Sequence, residues 1–174
     1  QPGEVLWDIG ANVGPYTLLA AARQINVVAF EPVMENVATL VRNLAMNGLS
    51  DRVIVLPRAL GAANGMAWLH ISDFQSGSAN HPILTSPRKL TLHKQLITIE
   101  TGDDLVARYG LPLPHAIKID VDGAELDVLK GLEGLVLNHA GLRYLVIEFD
   151  TRKDAECLEW IEAHGWARYA ESEP

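Results

Sequence analysis

The chain has 174 residues, with 14 Lys and Arg against 22 Asp and Glu for a formal charge of −8, and 48% apolar side chains. That length fits one domain over residues 1–174, long enough to bury about 70% of its unfolded surface, and the composition excludes disordered, collagen-like and coiled-coil chains. The acidic balance argues against a nucleic-acid partner, apolar stretches such as Gly14 to Ala22 and Leu142 to Phe149 fall short of the roughly 20 residues that cross a membrane, and the lone Cys157 cannot close an internal disulfide. A soluble, cytoplasmic protein is the expectation, and the absence of an initiator Met points to a piece of a longer one.

Short apolar runs alternate with amphipathic stretches, the pattern of an α/β domain with a parallel sheet. Val5-Leu6-Trp7-Asp8-Ile9 reads as the first strand. A Gly-rich turn follows, then a helix that Pro15 can open, because its missing N–H would be unbonded there anyway. Asn26 to Glu31 is the second strand, ended by Pro32. The next helix carries Val37, Leu40, Val41 and Leu44 on one stripe and stops at Gly48. Arg52 to Pro57 is strand three. Gly65 to Ile71 and Lys94 to Glu100 read as two further strands flanking a polar, Pro-punctuated stretch from Ser72 to Lys89, too long for an idle connection and read as a substrate loop or lid. Gly102 to Tyr109 is a short helix capped by Thr101, with Asp104 three residues on. His115 to Asp120 is strand four, and Ala124 to Asn138 is helical with a break near Gly131 or Gly134. Leu142 to Phe149 is strand five. Asp154 to His164 is the last helix, ended by Gly165, and Trp166 to Ala170 begins a sixth strand.

The loop Asp8-Ile9-Gly10-Ala11-Asn12-Val13-Gly14 follows a strand and precedes a helix, at the carboxyl edge where open α/β sheets bind ligands. Glu31 ends the second strand 21 residues after Gly10, where an acidic side chain can accept hydrogen bonds from both hydroxyls of a ribose. Each feature also has a plain structural reading, tight-turn packing for the loop and a helix-dipole charge for Glu31. Two cofactor types share the ribose contact, nicotinamide dinucleotides and S-adenosylmethionine (SAM). A dinucleotide fingerprint needs G-x-G-x-x-G, but Asn12 stands at the second Gly. Asp8 at the strand end would repel a pyrophosphate and could hold an ammonium group. SAM is therefore favoured.

Along strand four, Lys118 and Asp120 point to one face and Ile117, Ile119 and Val121 to the other. A charge inside such a strand needs a partner, and Glu148 on strand five is the expected one for Lys118. Asp122 and Glu125 read as the cap and third residue of the next helix. Asp120, at the carboxyl end of strand four, is the candidate for catalysis or substrate binding. The six histidines show no metal pattern, His81 in the long loop is the one weighed as a base, and Asp120 with Glu148 is a weaker candidate pair for Mg²⁺. No metal is expected.

The strings Asp8-Ile9-Gly10-Ala11-Asn12-Val13-Gly14, Phe30-Glu31-Pro32, Asn43-Leu44-Ala45-Met46-Asn47-Gly48 and Lys118-Ile119-Asp120-Val121-Asp122-Gly123-Ala124-Glu125 together resemble FkbM-type SAM-dependent methyltransferases. The resemblance runs from Val5 to about Phe149. It implies a doubly wound, mostly parallel class I (Rossmann-like) methyltransferase fold, SAM as cofactor, and methylation of a hydroxyl on a sugar, glycan or natural product. By the same resemblance Asp8, Gly10, Asn12 and Gly14 form the methionine-side loop, Glu31 holds the ribose, and Pro32 with the Arg58-Ala59-Leu60 turn flanks the adenine. Asp120, Lys118, Glu148 and Asp122 are the candidate catalytic set. Asp122 departs from the family, which usually has the longer Glu there. The rival readings are a nucleotide-linked oxidoreductase and a SAM-binding domain without catalysis.

Overall fold

The computed structural model of the chain describes residues 1–71, 92–148 and 155–167. Among these the elements run β1 (Val5–Ile9), α1 (Pro15–Ala22), β2 (Asn26–Phe30), α2 (Met34–Met46), β3 (Val53–Leu56), β4 (Ala59–Leu60), β5 (Gly65–Ile71), β6 (His93–Glu100), α3 (Gly102–Tyr109), β7 (Ala116–Ile119), α4 (Glu125–Lys130), α5 (Glu133–Asn138), β8 (Tyr144–Ile147) and α6 (Ala155–Ala163).

Five strands form the central sheet in the order β3-β2-β1-β7-β8, and every pairing in it is parallel. The doubly wound α/β fold expected from the sequence is present. Parallel strands covered on both faces read as nearly continuous apolar runs, as β1 and β2 do, and alternate residues then feed two different cores. Val5, Trp7, Ile9, Val28, Phe30, Ile117 and Ile119 pack with Leu105, Val128, Leu129, Leu135 and Cys157 from α3 to α6. On the other face Leu6, Val27, Ala29, Val53 and Val55 pack with Ala20, Leu40 and Leu44 from α1 and α2. The strand order reverses at β1, between β2 and β7, and there a crevice opens at the carboxyl edge.

Local signals explain several boundaries. Pro15 opens α1 behind Gly14, whose φ is +97°; a Cβ on Gly14 would lie 2.3 Å from Leu40 Cδ1. The Thr101 hydroxyl accepts the Asp104 N–H at 3.1 Å, capping α3 as expected. The long helix after strand four breaks between Lys130 and Glu133, where Gly131 lets the Gly61 carbonyl approach: an added Cβ would stand 2.0 Å from that oxygen.

The two further strands expected at Gly65 to Ile71 and Lys94 to Glu100 are present as β5 and β6, and with the two-residue β4, which has no sequence signal, they make a separate three-stranded sheet, β4-β6-β5, with β5 and β6 antiparallel. The expectation for the start of the helix after strand four is corrected. Asp122 does not cap α4. The cap position is Ala124, without a side-chain bond, because Asp122 sits in a left-handed turn at φ +55°; only Glu125 plays its part, accepting the Gly123 N–H at 3.0 Å. Of the sixth strand expected over Trp166 to Ala170, the two described residues, Trp166 and Ala167, are irregular. The stretch Ser72 to Lys89, with His81, lies outside the described residues, as do 168–170.

Candidate active site

The β1–α1 loop is built from positive-φ residues, with Gly10 at +78° and Asn12 at +53°. Gly10 is required by a close approach as well as by its dihedral: a Cβ there would lie 1.8 Å from the Asp120 carbonyl oxygen at the end of β7. The loop's own donors are all in use. Gly10 and Ala11 both donate to the Phe30 carbonyl at 3.0 Å, and Gly14 donates to Ala11 at 2.9 Å. Asn12 donates to Glu31 Oε2 at 2.9 Å, and Val13 to the Asn12 side-chain oxygen at 2.8 Å. Pro15 has no N–H. A pyrophosphate cradle needs free amides at this place, and residues 10–15 offer none.

Glu31 stands at the end of β2, 5% exposed. Besides Asn12, its carboxylate accepts the Val33 N–H at 2.9 Å and the Asn36 amide at 3.3 Å. A carboxylate has about four acceptor directions, so three are committed and one on Oε2 is open to a ligand hydroxyl; a second ligand hydroxyl would compete with Asn36. Burial pushes the Glu31 pKa above its ordinary value, while these N–H donors pull the other way.

Lys118 is the hub of the opposite wall. Asp8 of β1 is its register partner on the neighbouring strand, and the ammonium lies 3.2 Å from Asp8 Oδ1 and 3.2 Å from Asp120 Oδ2. It donates to the Gly10 carbonyl at 2.8 Å. Three oxygens thus surround the ammonium, two of them as ion-pair partners and the Gly10 carbonyl as a hydrogen-bond acceptor. The Asp8–Lys118 contact is an ion pair without hydrogen-bond geometry at Oδ1, and the other Asp8 oxygen accepts the Thr17 hydroxyl at 2.6 Å. The expected pairing of Lys118 with Glu148 is therefore replaced by one with Asp8. Both β1 and β8 flank β7, and the face shared with β1 supplies the buried carboxylate, whereas Glu148 is exposed.

These walls enclose one cleft. Of the residues singled out from sequence, Gly10, Asn12, Glu31, Pro32, Ala59, Leu60, Asp120 and Asp122 line it, as does Arg58. Asp8 does not; it is fully buried, so no ligand touches it and it acts through Lys118 and Thr17. Gly14, Lys118 and Glu148 also stand outside the lining. Sequence reasoning missed Val33, Asn36, Leu69 and Val121, which are also part of the wall. Asn36 was within reach of it, since a position five residues after Glu31, in the first turn of α2, faces back toward the strand end. The charged groups on the cleft are the carboxylates of Glu31, Asp120 and Asp122 and the guanidinium of Arg58, which is bonded to the buried Glu100. Among the described residues no three His, Cys, Asp or Glu gather to hold a metal ion.

Residues 8–168 match the family model described as the methyltransferase FkbM domain. The chain belongs to this family. It is 30% identical to the hexuronic acid methyltransferase AglP of Haloferax volcanii, over 88% of this chain and 59% of that protein. It is 26% identical to the 31-O-demethyl-FK506 methyltransferase FkbM of Streptomyces tacrolimicus, over 100% of this chain and 76% of that one. The chain thus spans a little over half the length of AglP. Among solved structures, FkbM from Methylobacillus flagellatus aligns with TM-score 0.54 at 22% identity, over 79% of this chain and 31% of that one. The C-terminal domain of precorrin-6Y C5,15-methyltransferase from Rhodobacter capsulatus aligns with TM-score 0.57 at 18% identity, over 100% and 71%. These likenesses show the class I methyltransferase fold.

Proposed function

We propose that this domain is a SAM-dependent O-methyltransferase acting on a hydroxyl of a sugar, glycan or natural product. One observation carries the choice of cofactor: the loop that would cradle a pyrophosphate has no free N–H between residues 10 and 15, and the cleft beside it presents three carboxylates against one neutralised cation. That donor set repels a dinucleotide and suits a nucleoside attached to a cationic sulfonium and an ammonium. Glu31 offers its open acceptor to the ribose, and Val33, Leu60 and Leu69 with Pro32 form the apolar wall for the base. When bound, SAM supplies a methyl group on an electron-poor sulfur.

The chain's own work is to place the acceptor oxygen and remove its proton. Asp120 is the exposed member of the Lys118 cluster, with its side chain 38% exposed at the cleft rim. A base at the rim need act only as the new bond forms, since an alkyl hydroxyl does not ionise at neutral pH; such assistance is worth roughly 10² to 10⁴ in rate. Lys118, fixed by Asp8 and the Gly10 carbonyl, holds Asp120 in place and ties it to the cofactor loop. Asp122 adds negative charge on the same rim.

The acceptor class rests on the relatives, one named for a hexuronic acid and one for an oxygen of FK506. Among the described residues no helix is long and apolar enough to cross a membrane. Incubating the protein with SAM and a panel of hexuronic acids, neutral sugars and hydroxylated metabolites, read by mass spectrometry, tests the assignment. Methyl transfer to an oxygen is expected. Methylation confined to nitrogen or carbon acceptors would overturn it.

A further inference from the structure

The turn that carries Glu31 is held from a distance. Helix α2 begins behind Val33, a residue whose side chain cannot cap, and no side-chain cap bond is made by it. The first N–H groups of a helix need partners. One comes from the other sheet: Met34 N–H donates to Gln95 Oε1 at 3.3 Å, and Gln95 Nε2 donates to the Pro32 carbonyl at 2.6 Å. A single amide on β6 thus clasps both sides of residue 33, whose own N–H is bonded to Glu31. Gln95 lies across from Leu69 in the β5–β6 register, and Leu69 lines the cleft. The contacts span 63 and 61 residues of chain.

We propose that Gln95 is a positioning residue for the cofactor's nucleoside: it fixes the Glu31–Met34 turn so that the Glu31 carboxylate and the Pro32–Val33 wall are already placed before binding. Without the clasp, the Val33 N–H, one of three donors that hold Glu31, loses its fixed direction, and part of the cost of ordering the turn falls on the ligand. Preorganisation of this kind is read as affinity. The inference rests on the assignment of Glu31 to the ribose made above.

The test uses S-adenosylhomocysteine, the demethylated product, titrated calorimetrically into the wild type, Gln95→Met and Gln95→Glu. Met keeps the volume and removes both hydrogen bonds. Glu keeps the acceptor for Met34 but sets an oxygen against the Pro32 carbonyl, and it decides the matter if the Met variant folds poorly. Each variant is expected to bind about five- to tenfold more weakly, the equivalent of one or two neutral hydrogen bonds. A purely structural role would weaken binding equally in any background, so Gln95→Met is repeated on Glu31→Ala, where its effect should shrink to the share that acts through the Pro32–Val33 wall. Wild-type affinity in both single variants, or an undiminished loss in the Glu31→Ala background, overturns the role of Gln95 while leaving the cofactor assignment standing. Failure of the wild type itself to bind overturns both.

Discussion

Lys118→Met is the perturbation for which the structure yields the clearest magnitude. The substitution keeps the length of the side chain and removes an ammonium that is bonded to the Gly10 carbonyl at 2.8 Å and paired with Asp8 and Asp120 at 3.2 Å each. Asp120 can turn to solvent. Asp8 cannot, because its side chain is 0% exposed against 10% for Lys118, and it is left with the Thr17 hydroxyl alone. Breaking a buried pair by removing one partner costs about 3–5 kcal/mol, because the surviving charge is buried without compensation; against a typical total of about 5–15 kcal/mol that is a large fraction. Adding Asp8→Asn removes the stranded charge, so the double variant should regain most of the loss. Urea unfolding with a common m-value measures both. A cost below about 1 kcal/mol in Lys118→Met, or a double variant that is no better than the single, would refute the buried pairing.

Other consequences are equally specific. Gly10→Ala must open a 1.8 Å approach to the Asp120 carbonyl and adopt φ +78°; about 1–2 kcal/mol for the left-handed backbone and about 1–3 for overpacking should appear in the same unfolding assay. Asp120→Asn keeps the shape of the rim and should lower turnover by roughly 10² to 10⁴ while leaving S-adenosylhomocysteine affinity nearly unchanged, as single-turnover and binding measurements would show together. Burial raises the Glu31 pKa above the ordinary 4.5, and a ribose hydroxyl donates to the ionised form, so binding calorimetry should show affinity falling as pH drops through that raised value and levelling off above it. In the free protein the sign is opposite: the raised pKa contributes stability that is complete below about 4.5 and is lost as pH rises through the folded value.

What could be read in advance was mostly local. The caps and breaks at Pro15, Thr101 and Gly131 depend on a few neighbouring residues, and the alternation in β7 correctly placed Lys118 and Asp120 on the face opposite Ile117 and Ile119. The partner of Lys118 was not legible, because a strand between two neighbours has a candidate carboxylate on each side and only the packing of α1, through Thr17, decides that Asp8 is the buried one. The small sheet was not legible either: strands at Gly65–Ile71 and His93–Glu100 show the right alternation for either sheet, and it is the contact of Val33, Ala59, Leu69 and Ile97 that sets them apart. Asp122 fits a cap by spacing, but φ +55° carries it away from the helix axis. The spacing of Glu31 from Gly10 pointed to a shared ligand; the structure adds that the two segments are bonded to each other directly, through Asn12.

The central claim is that this cleft takes an adenosyl amino acid and not a dinucleotide, and calorimetry reads it most directly. The protein is titrated with S-adenosylhomocysteine and with NADH, and then again with Glu31→Ala. Binding of the first and none of the second is predicted, with a roughly ten- to hundredfold loss in the variant for a hydrogen bond to a charged group of about 1.5–3 kcal/mol. Tight NADH binding without S-adenosylhomocysteine binding would contradict it.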